Sequence, residues 1–519
     1  MHLTDLSRYD EAQTHFSKDG LWELFDGTRD RLNMAHECLD RHRDKGLTIR
    51  VANADGSNET HTLESVADSA NQIANWLRAR GVRQGERVAL MLEPSAAFYA
   101  TLFGVMKAGG VAVPMFTLFG PEALRLRVVD CTPSLMVTTD EKLSITRDAG
   151  VPEVLSADEL LEYAAAYETT CEATTRADDL ALFQYTSGTT RELPEAVQHR
   201  HRAVVTVAVA ALYATGVRPG EAFMCPSSPA WGHGLAHGTL GPLGLGASIA
   251  SYAGEFKAER LLAAISEFGI ENLSAAATHY RMMRQVGAAA HFPNRLRKLS
   301  FTGEPLDAPT AAWAAETFGH EICSIYGSTE VGVVLADYPG AGDHKVRRGA
   351  LGKPVPGLEV QVLSPSGGVC APGEIGEISV RRRDGWFGIK DRGHTDEDGY
   401  FYHDGRADDV IITAGWTVSA REVEDALLAH AAVAEAAVIG VPDELRGQVI
   451  KAYVVALDAA PEPTTEALQQ FVKQHSSAHA YPRIVEFVSA LPKTPAGKIN
   501  RRVLREQADA ARQQVEQRE

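Results

Sequence analysis

A cluster of hydroxyl side chains around one glycine is the part of this sequence with the clearest chemistry. A strand-like run at 180–185 leads into the stretch TSGTT at 186–190, and a helix-like run begins at about His201. Backbone N–H groups and hydroxyls in a turn of this kind bind phosphate oxygens. The Walker P-loop has a different spacing, with two glycines separated by four residues and then Lys and Ser or Thr. The sequence therefore predicts a phosphate-binding loop that is not a Walker loop.

Six further motifs supply aromatic, carboxylate, arginine and lysine side chains. In chain order they are NMAHECLDRH at 33–42, WGHGLAHGTLGPL at 231–243, GEP at 303–305, YGSTE at 326–330, GRADD at 405–409 and PAGK at 495–498. With TSGTT, this series resembles the adenylate-forming superfamily of acyl-CoA synthetases, peptide-synthetase adenylation domains and luciferases. The motifs at 33–42 and 231–243 resemble its acyl-CoA ligase branch. A match of this extent and order identifies the chain as a member of that superfamily.

The resemblance implies a two-step reaction, in which a carboxylate and ATP give an acyl adenylate and the CoA thiol then displaces AMP. The implied catalytic residues are Thr329, which would hold the α-phosphate, Glu330, which would bind Mg²⁺, and Lys498. Lys498 would reach the α-phosphate when the C-terminal domain closes. Tyr326 would stack on adenine, and Asp391 would bind the ribose. The full implied nucleotide and adenylate set is Thr186, Ser187, Thr189, Thr190, Gly303, Glu304, Pro305, Tyr326, Gly327, Ser328, Thr329, Asp391, Arg406 and Lys498.

The same resemblance implies an acyl pocket and a CoA tunnel. The implied pocket residues are Trp231, Gly232, His233, Gly234, Thr278, Thr302 and Gly327. Three of them are glycines where relatives for small acids carry bulkier side chains, so we expect a roomy pocket for a fairly large hydrophobic acid. His233 and His237 have the spacing of two metal ligands on a helix, but without a third ligand we expect pocket-wall histidines. Gly415 and Trp416 would line the CoA tunnel, and Lys473 is a candidate contact for a CoA phosphate.

The phosphate loop departs from the superfamily pattern T-S-G-[ST]-T-G-x-P-K-G. Arg191 stands where the second glycine belongs, one residue is inserted, and Glu195 replaces the lysine that follows the proline. Arginine lacks the backbone freedom of glycine. Each unit charge about 5 Å from a phosphate contributes roughly 3 kcal/mol at an effective dielectric near 20, so Lys-to-Glu amounts to about 6 kcal/mol at most. The degenerate loop therefore predicts poor handling of the triphosphate.

From these features we expect an acyl-CoA ligase that makes the thioester from acyl adenylate and CoA, with the ATP-dependent adenylation step weak or lost. A separate enzyme would then supply the adenylate, and ATP and Mg²⁺ would be used only if adenylation is retained. Two alternatives stay open at this point. One is a complete ATP- and Mg²⁺-dependent acyl-CoA synthetase, and the other is a catalytically dead protein that binds an acyl adenylate or nucleotide.

The elements that must position these residues alternate between strands and helices. Apolar residues follow helical spacing at 63–77, and a strand at 87–92, a helix at 96–107 and a strand at 111–115 come next. This alternation predicts α/β layers in a large N-terminal domain, residues 1–407. The run GRADD places a hinge near Asp408. Residues 408–519 form a small mobile α+β domain with strands near 433–441, 450–457 and 484–488 and a helix at 465–475.

Composition sets the wider limits. The 519 residues are 45% hydrophobic and 23% charged, as in a globular protein, and they carry a net charge of −17. That charge argues against nucleic acid as the main partner, so we expect a small carboxylic acid or its adenylate, and CoA. The polar N-terminus and the lack of a long apolar run predict no signal peptide and no membrane span. Six scattered cysteines without C-x-x-C spacing are typical of a cytoplasmic enzyme.

Overall fold

The computed structural model describes residues 2–185, 196–328, 331–406, 410–413, 416–443, 447–457, 463–475, 481–494 and 499–516. Several predicted site residues lie outside the described residues, namely Thr186, Ser187, Thr189, Thr190, Arg191, Glu195, Thr329, Glu330, Asp408, Gly415 and Lys498. For these residues the roles given above stay predictions.

Strands and helices alternate through most of the described chain. The strands are β1 (Thr48–Asn53), β2 (Asn58–Thr62), β3 (Arg87–Met91), β4 (Val111–Pro114), β5 (Leu135–Thr138), β6 (Glu153–Ser156), β7 (Leu180–Gln184), β8 (Val197–Arg200), β9 (Ala222–Met224), β10 (Ser248–Ala253), β11 (Asn272–Ala276), β12 (Lys298–Thr302), β13 (Ile322–Ser328), β14 (Gly332–Ala336), β15 (Ala350–Pro354), β16 (Val360–Leu363), β17 (Gly376–Arg382), β18 (Gly385–Thr395), β19 (Phe401–Arg406), β20 (Val410–Thr413), β21 (Trp416–Ser419), β22 (Val433–Asp443), β23 (Gly447–Ala456) and β24 (Ile484–Phe487).

The α-helices are α1 (Tyr9–His15), α2 (Lys18–Trp22), α3 (Met34–Cys38), α4 (Leu63–Ala79), α5 (Ala96–Ala108), α6 (Pro121–Cys131), α7 (Leu143–Asp148), α8 (Ala157–Ala164), α9 (Ala203–Tyr213), α10 (Gly241–Gly244), α11 (Ala258–Glu267), α12 (Ala277–Val286), α13 (Ala308–Phe318), α14 (Ala420–Leu428), α15 (Thr465–His475) and α16 (Arg501–Glu516). A π-helix, His233–Leu240, precedes α10. No described helix is long and apolar enough to cross a membrane.

The chain divides into two compact units. The first unit contains residues 1–302, 313–346 and 355–357, and the second contains 303–312, 347–354 and 358–519. The predicted division between residues 407 and 408 stays a prediction, because residues 407–409 lie outside the described part of the chain.

Two mixed sheets form the framework of the first unit. One has the strand order β6-β5-β3-β4-β7-β8, in which only the β7–β8 pair is antiparallel. In the other, the strands run in the order β2-β1-β10-β9-β11-β12-β13-β14, with β2 and β14 antiparallel to their neighbours. Parallel strands are usually covered on both faces, and β4 and β11 are buried along their whole length. The predicted α/β class is confirmed.

Local sequence signals account for the helices that cover these sheets. The Thr62 hydroxyl accepts a hydrogen bond from the Ser65 N–H and caps α4, whose apolar face is buried. Ser95 caps α5 in the same way by accepting from Phe98 N–H, and Gly109 ends that helix in the left-handed conformation at φ +92°. Both helices therefore begin and end close to where the sequence predicted them.

The second unit contains two further sheets. An antiparallel sheet has the order β16-β17-β18-β19-β15. The other has the order β21-β20-β23-β22, and β24 pairs with β23 in parallel. Apolar side chains of α14 and α15, including Val423, Leu427 and Leu468, are buried against this last sheet. The α+β character predicted for the C-terminal region is thus present.

Candidate adenylate and acyl site

The altered phosphate loop joins the two strands of a hairpin in the first unit. Strands β7 and β8 pair in antiparallel register up to Gln184 and Val197, so residues 186–195 connect them. The two residues that flank this segment, Tyr185 and Ala196, are both described and both buried. The Tyr185 hydroxyl donates to Asp130 Oδ2 at 2.7 Å, and the Ala196 N–H donates to the same oxygen at 3.3 Å.

A second hairpin in the first unit carries the first residues of the YGSTE motif. Tyr326, Gly327 and Ser328 end β13, which turns back into β14, and Gly327 lies opposite Val333. A Cβ on Gly327 would overlap the Gly332 carbonyl oxygen, so the close approach of the two strands requires glycine there. Tyr326 is half-buried at this hairpin.

The carboxyl ends of neighbouring parallel strands bring several predicted pocket residues to one edge of the second sheet. Strands β11 and β12 pair so that Ala276 lies beside Thr302, and Thr278 follows β11 by two residues. Strand β13 is the next strand along and leads to Tyr326. Ligands of α/β proteins bind at the carboxyl ends of parallel strands, which is the position that these residues share.

The predicted acyl-pocket helix is a π-helix over His233–Leu240. Turns of this type are rare and occur often at functional sites. His233 is buried, and both its ring nitrogens have partners. Its Nδ1 lies 3.0 Å from Ser227 Oγ and its Nε2 lies 2.8 Å from Ser274 Oγ. These two hydroxyls fix the ring plane of His233 and occupy the atoms with which it could bind a metal.

His237, one turn further on, is in a different situation. Its Nδ1 is buried and makes no hydrogen bond to any of the described residues. Burial lowers the pKa of His237 to about 4, so the ring is neutral at pH 7. The ring centroids of His233 and His237 are 6.2 Å apart. The Trp231 ring meets His233 edge-on at 5.4 Å, so aromatic rings cluster at the start of the π-helix.

The glycines of this region have a packing role that the sequence argument did not foresee. A Cβ on Gly232 would lie 2.7 Å from Gln184 Nε2, and one on Gly234 would overlap the carbonyl oxygens of Ser227 and Ser228. Gly327 is likewise closed off by β14. The inference of a roomy pocket from these three glycines is therefore wrong, because the space beside each is already filled by protein atoms. A preference for a large acid has to rest on other grounds.

In the second unit, the predicted ribose ligand and its neighbour are adjacent on two strands. Asp391 in β18 lies directly opposite Arg406 in β19. Asp391 Oδ2 is 3.7 Å from His403 Nε2, which is a contact that the sequence did not indicate. Gly303, the first residue of the predicted adenine-side loop Gly303-Glu304-Pro305, has φ +99°, a conformation that favours glycine.

The acidic run after Thr395 forms a structured turn. Asp396 Oδ1 accepts from the N–H groups of Asp398 and Tyr400 at 3.0 and 2.9 Å. Arg347 pairs with both Asp396 and Asp398. These carboxylates are therefore occupied in shaping the turn between β18 and β19.

Of the predicted CoA contacts, one has a described side chain. The Lys473 ammonium lies over the Tyr481 ring, 4.0 Å from its centroid. Trp416 begins β21, and Gly415 lies outside the described residues. The CoA assignments stay predictions.

Comparison with known proteins decides the family. The AMP-binding enzyme family matches residues 37–386, and the AMP-binding enzyme C-terminal domain matches residues 422–498. The chain belongs to the AMP-binding enzymes. Among curated relatives of this AMP-binding enzyme, acetyl-coenzyme A synthetase of Bacillus subtilis is 31% identical over 96% of this chain and 95% of the relative. 4-Hydroxybutyrate–CoA ligase 1 of Metallosphaera sedula is 30% identical, over 86% and 84%.

Solved structures agree with this assignment. An acyl-CoA synthetase from Brucella canis has a TM-score of 0.76 at 32% identity, covering 98% of this chain and all of its own. The anthranilate CoA ligase AuaEII, solved with anthranoyl-AMP, has a TM-score of 0.84 at 26% identity, with coverages of 95% and 99%. The predicted superfamily, fold and enzyme class are confirmed: this AMP-binding enzyme is an acid-thiol ligase of the acyl-CoA synthetase branch. Enzymes of the family use CoA, ATP and acyl-AMP intermediates.

Sequence reasoning missed two residues of this AMP-binding enzyme that lie outside the motifs. Each is hydrogen-bonded to a residue in a motif or directly beside one. Asp130 lies 55 residues before Tyr185, and Ser274 lies 41 residues after His233. Neither belongs to a motif or stands at a telling spacing, because a hydrogen bond between distant segments depends on how the strands are ordered. Gln184, whose amide lies beside Gly232, had a sequence signal, because it ends the strand that precedes TSGTT.

Proposed function

We propose that this AMP-binding enzyme forms an acyl-CoA thioester from an acyl adenylate and CoA, and that its ATP-dependent adenylation is weak or absent. The observation that carries the proposal is the sequence of the loop between β7 and β8. Arg191 and Glu195 stand there in place of the glycine and the lysine that the superfamily pattern requires. The strands on either side of the loop are paired up to Gln184 and Val197, with a register shift between Leu180 and Leu182.

Charge explains why the two half-reactions should respond differently to this loop. A glutamate about 5 Å from a phosphate repels it by roughly 3 kcal/mol at an effective dielectric near 20, where the lysine would attract it by as much. Solvent reduces both values, and Arg191 returns part of the positive charge. An acyl adenylate carries a single phosphate and has no β- or γ-phosphate to meet the loop. The penalty therefore falls on ATP and pyrophosphate, and the thioester-forming step is spared.

The proposed chemistry is an acyl transfer. The CoA sulfur attacks the carbonyl carbon of the mixed anhydride, a C–S bond forms, and the bond from that carbon to the phosphate oxygen breaks. AMP leaves as the anion, and the thiol proton passes to solvent. By resemblance Tyr326, Asp391 and Arg406 would hold the AMP portion, and all three retain the residue types of the superfamily.

For the acid, we infer a mainly apolar carboxylic acid without a second charge. No Asp, Glu, Lys or Arg occurs at 225–254, the segment that contains the whole π-helix. His237 is neutral because of its burial, and His233 is held by two neutral hydroxyls. A pocket wall made of residues 225–254 would offer no charged partner to a second carboxylate on the acid. The cost of removing that carboxylate from water would then be uncompensated.

The test compares two reactions of the unmodified enzyme with the same panel of acids. Synthetic acyl adenylates plus CoA should give acyl-CoA and AMP, and adding ATP should not change that rate. The free acids with ATP, Mg²⁺ and CoA should give little acyl-CoA and little ATP–pyrophosphate exchange. Rapid pyrophosphate release with the preferred acid would refute the proposed loss of adenylation. Failure of every adenylate to yield thioester would refute the ligase activity itself.

A complete ATP- and Mg²⁺-dependent synthetase is the second candidate. It is favoured by the similarity to acetyl-coenzyme A synthetase, which extends over 96% of this chain. Thr329, Glu330 and Lys498 are also present in the sequence at the positions that the resemblance assigns to adenylation. Exchange of labelled pyrophosphate into ATP separates the two candidates, because it reports the first half-reaction alone.

A further inference from the structure

One carboxylate oxygen holds both ends of the altered loop. Asp130 Oδ2 accepts from the Tyr185 hydroxyl at 2.7 Å and from the Ala196 backbone N–H at 3.3 Å. Tyr185 is the last described residue before the loop and Ala196 is the first after it. The β7–β8 ladder ends at Gln184 and Val197, each one residue away from Tyr185 or Ala196. Asp130 therefore continues the closure of the hairpin beyond its last paired residues.

Arg127, on the same helix as Asp130, makes further contacts with Tyr185. The Tyr185 hydroxyl also lies 3.0 Å from the Arg127 carbonyl oxygen, one turn before Asp130 on the same helix. The Arg127 guanidinium covers the Phe119 ring at 3.9 Å and the Tyr185 ring at 5.5 Å. Its Nη1 donates to the Ala123 carbonyl oxygen at 2.8 Å. The Tyr185 side chain, at the base of the loop, thus packs against the C-terminal end of α6.

The residues that donate these two bonds are buried, whereas Asp130 itself is exposed. Tyr185 is 2% exposed, and a buried hydroxyl without a partner is unfavourable, as is a buried backbone N–H. A negatively charged acceptor also makes a stronger hydrogen bond than a neutral one. Removing the Asp130 carboxylate would take this acceptor from the Ala196 N–H and would leave the Tyr185 hydroxyl with the Arg127 carbonyl oxygen.

We propose that Asp130 is a positioning residue for the phosphate loop: by joining Tyr185 to Ala196 it closes the base of the loop and sets how well residues 186–195 handle the pyrophosphate side of the nucleotide. This inference rests on the proposed function in one respect, which is that residues 186–195 act on the β- and γ-phosphates. It predicts that Asp130 matters to the ATP half-reaction and not to thioester formation.

The first experiment measures the loop base directly, without any substrate. Deuterium uptake of peptides that cover 185–196 is compared in the wild type, Asp130→Ala, Asp130→Asn and Tyr185→Phe. Uptake should rise most in Asp130→Ala, less in Tyr185→Phe, and least in Asp130→Asn, whose amide oxygen can still accept both bonds. Glu122→Ala is the matched control, since Glu122 is an exposed acid on the same helix. Uptake in Asp130→Ala equal to that of Glu122→Ala would overturn the proposal.

The second experiment follows the two half-reactions. Because the wild type is expected to exchange pyrophosphate poorly, the Asp130 variants are also made in a background that carries Arg191→Gly and Glu195→Lys. In whichever background exchanges measurably, Asp130→Ala should lower exchange by about ten- to a hundredfold, as for loss of a charge-assisted hydrogen bond. Thioester formation from acyl adenylate should stay within about twofold. Equal losses in the two half-reactions would overturn the positioning role.

These readouts separate this inference from the proposed function. If the wild type turns out to use ATP well, the proposed loss of adenylation fails, yet a selective fall in exchange in Asp130→Ala would still support the role of Asp130. If the wild type lacks exchange but deuterium uptake at 185–196 is unaffected by Asp130→Ala, the proposed function stands and the role of Asp130 fails.

Discussion

Two hairpins of the first unit carry predicted phosphate contacts, and only one of them keeps the superfamily sequence. In each, a strand of a largely parallel sheet turns back into an antiparallel neighbour: β7 into β8, and β13 into β14. The YGSTE sequence of the second hairpin agrees with the superfamily pattern, whereas the TSGTT loop of the first departs from it after Thr190. Both hairpins have the same strand arrangement, so the difference between them is in the residues of the loop.

The two hairpins are also closed by different means. The base of the first is joined by a side chain, Asp130, that comes from a distant helix. The second is closed by backbone contact, because Gly327 leaves no room for a side chain against Gly332. A loop held through side-chain hydrogen bonds can change its sequence while its strands persist. A hairpin closed by glycine contact tolerates much less, and the comparison can be tested on both sides.

The largest effect should come from repairing the first hairpin. Arg191→Gly, deletion of Glu192 and Glu195→Lys together should raise ATP–pyrophosphate exchange by at least about a hundredfold, because the repulsive charge becomes attractive and the extra residue is removed. The rate from acyl adenylate and CoA should change little. Glu162→Lys, on α8, makes the same change of charge outside the loop and should leave exchange at the wild-type value. Equal gains in both variants would mean that overall charge, and not the loop, limits adenylation.

The next effect concerns the second hairpin. Gly327→Ala places a methyl group against the Gly332 carbonyl oxygen and should lower the free energy of unfolding by about 3 kcal/mol. Gly342→Ala is the matched control, since nothing lies within 4 Å of its Cβ position, and it should change stability by less than about 0.5 kcal/mol. Urea unfolding of both variants measures the difference. If Gly327→Ala were as stable as the wild type but preferred shorter acids, Gly327 would face open pocket space after all.

The smallest expected effect is a difference in how a residue beside each hairpin makes the stability of the protein depend on pH. His201 directly follows β8, its Nδ1 accepts from the Met34 N–H, and burial lowers its pKa to about 3. The unfolded chain then binds a proton that the folded chain does not, so stability falls by about 1.4 kcal/mol per pH unit as pH drops from about 6 towards 4. Asp337 directly follows β14, and burial raises the pKa of its carboxyl. The folded chain therefore binds this proton more readily than the unfolded chain, so the titration of Asp337 raises stability as pH falls.

Urea unfolding between pH 7 and pH 4 tests this difference. His201→Gln should flatten the dependence of stability on pH by about 1.4 kcal/mol per unit, whereas Asp337→Asn should not flatten it. The other histidines whose pKa burial lowers, His42, His199 and His237, remain in both variants and cancel from the comparison. An unchanged slope in His201→Gln would show that this histidine is already protonated or exposed in the folded enzyme.

Much of the fold could be predicted from the sequence, because its signals are local. The spacing of apolar residues in α4, the caps Thr62 and Ser95, and the glycine that ends α5 each act within a few residues. The motifs predicted to contact adenine, ribose and phosphate were also recognisable, because each is a short run of residues that resembles the superfamily pattern. The sequence could even show that one loop had lost its lysine.

Other features depended on contacts that no local pattern encodes. The same residue type, glycine, leaves open space for a Cβ at position 342, whereas a Cβ at 234 or 327 would overlap backbone carbonyl oxygens, and only the surrounding backbone distinguishes these cases. This is why the glycines in the sequence led to an overestimate of the space in the acyl pocket.

By itself, the sequence determined the family, the order of the elements and the identity of the altered loop, because short-range spacing and residue type carry that information. Only the tertiary structure decided that His233 is fixed by Ser227 and Ser274 while Nδ1 of His237 has no hydrogen bond among the described residues. It also decided that Asp130 joins the two ends of the loop. The physical reason is that these hydrogen bonds join segments brought together by sheet order and helix packing, and their donors and acceptors meet only once the core has formed.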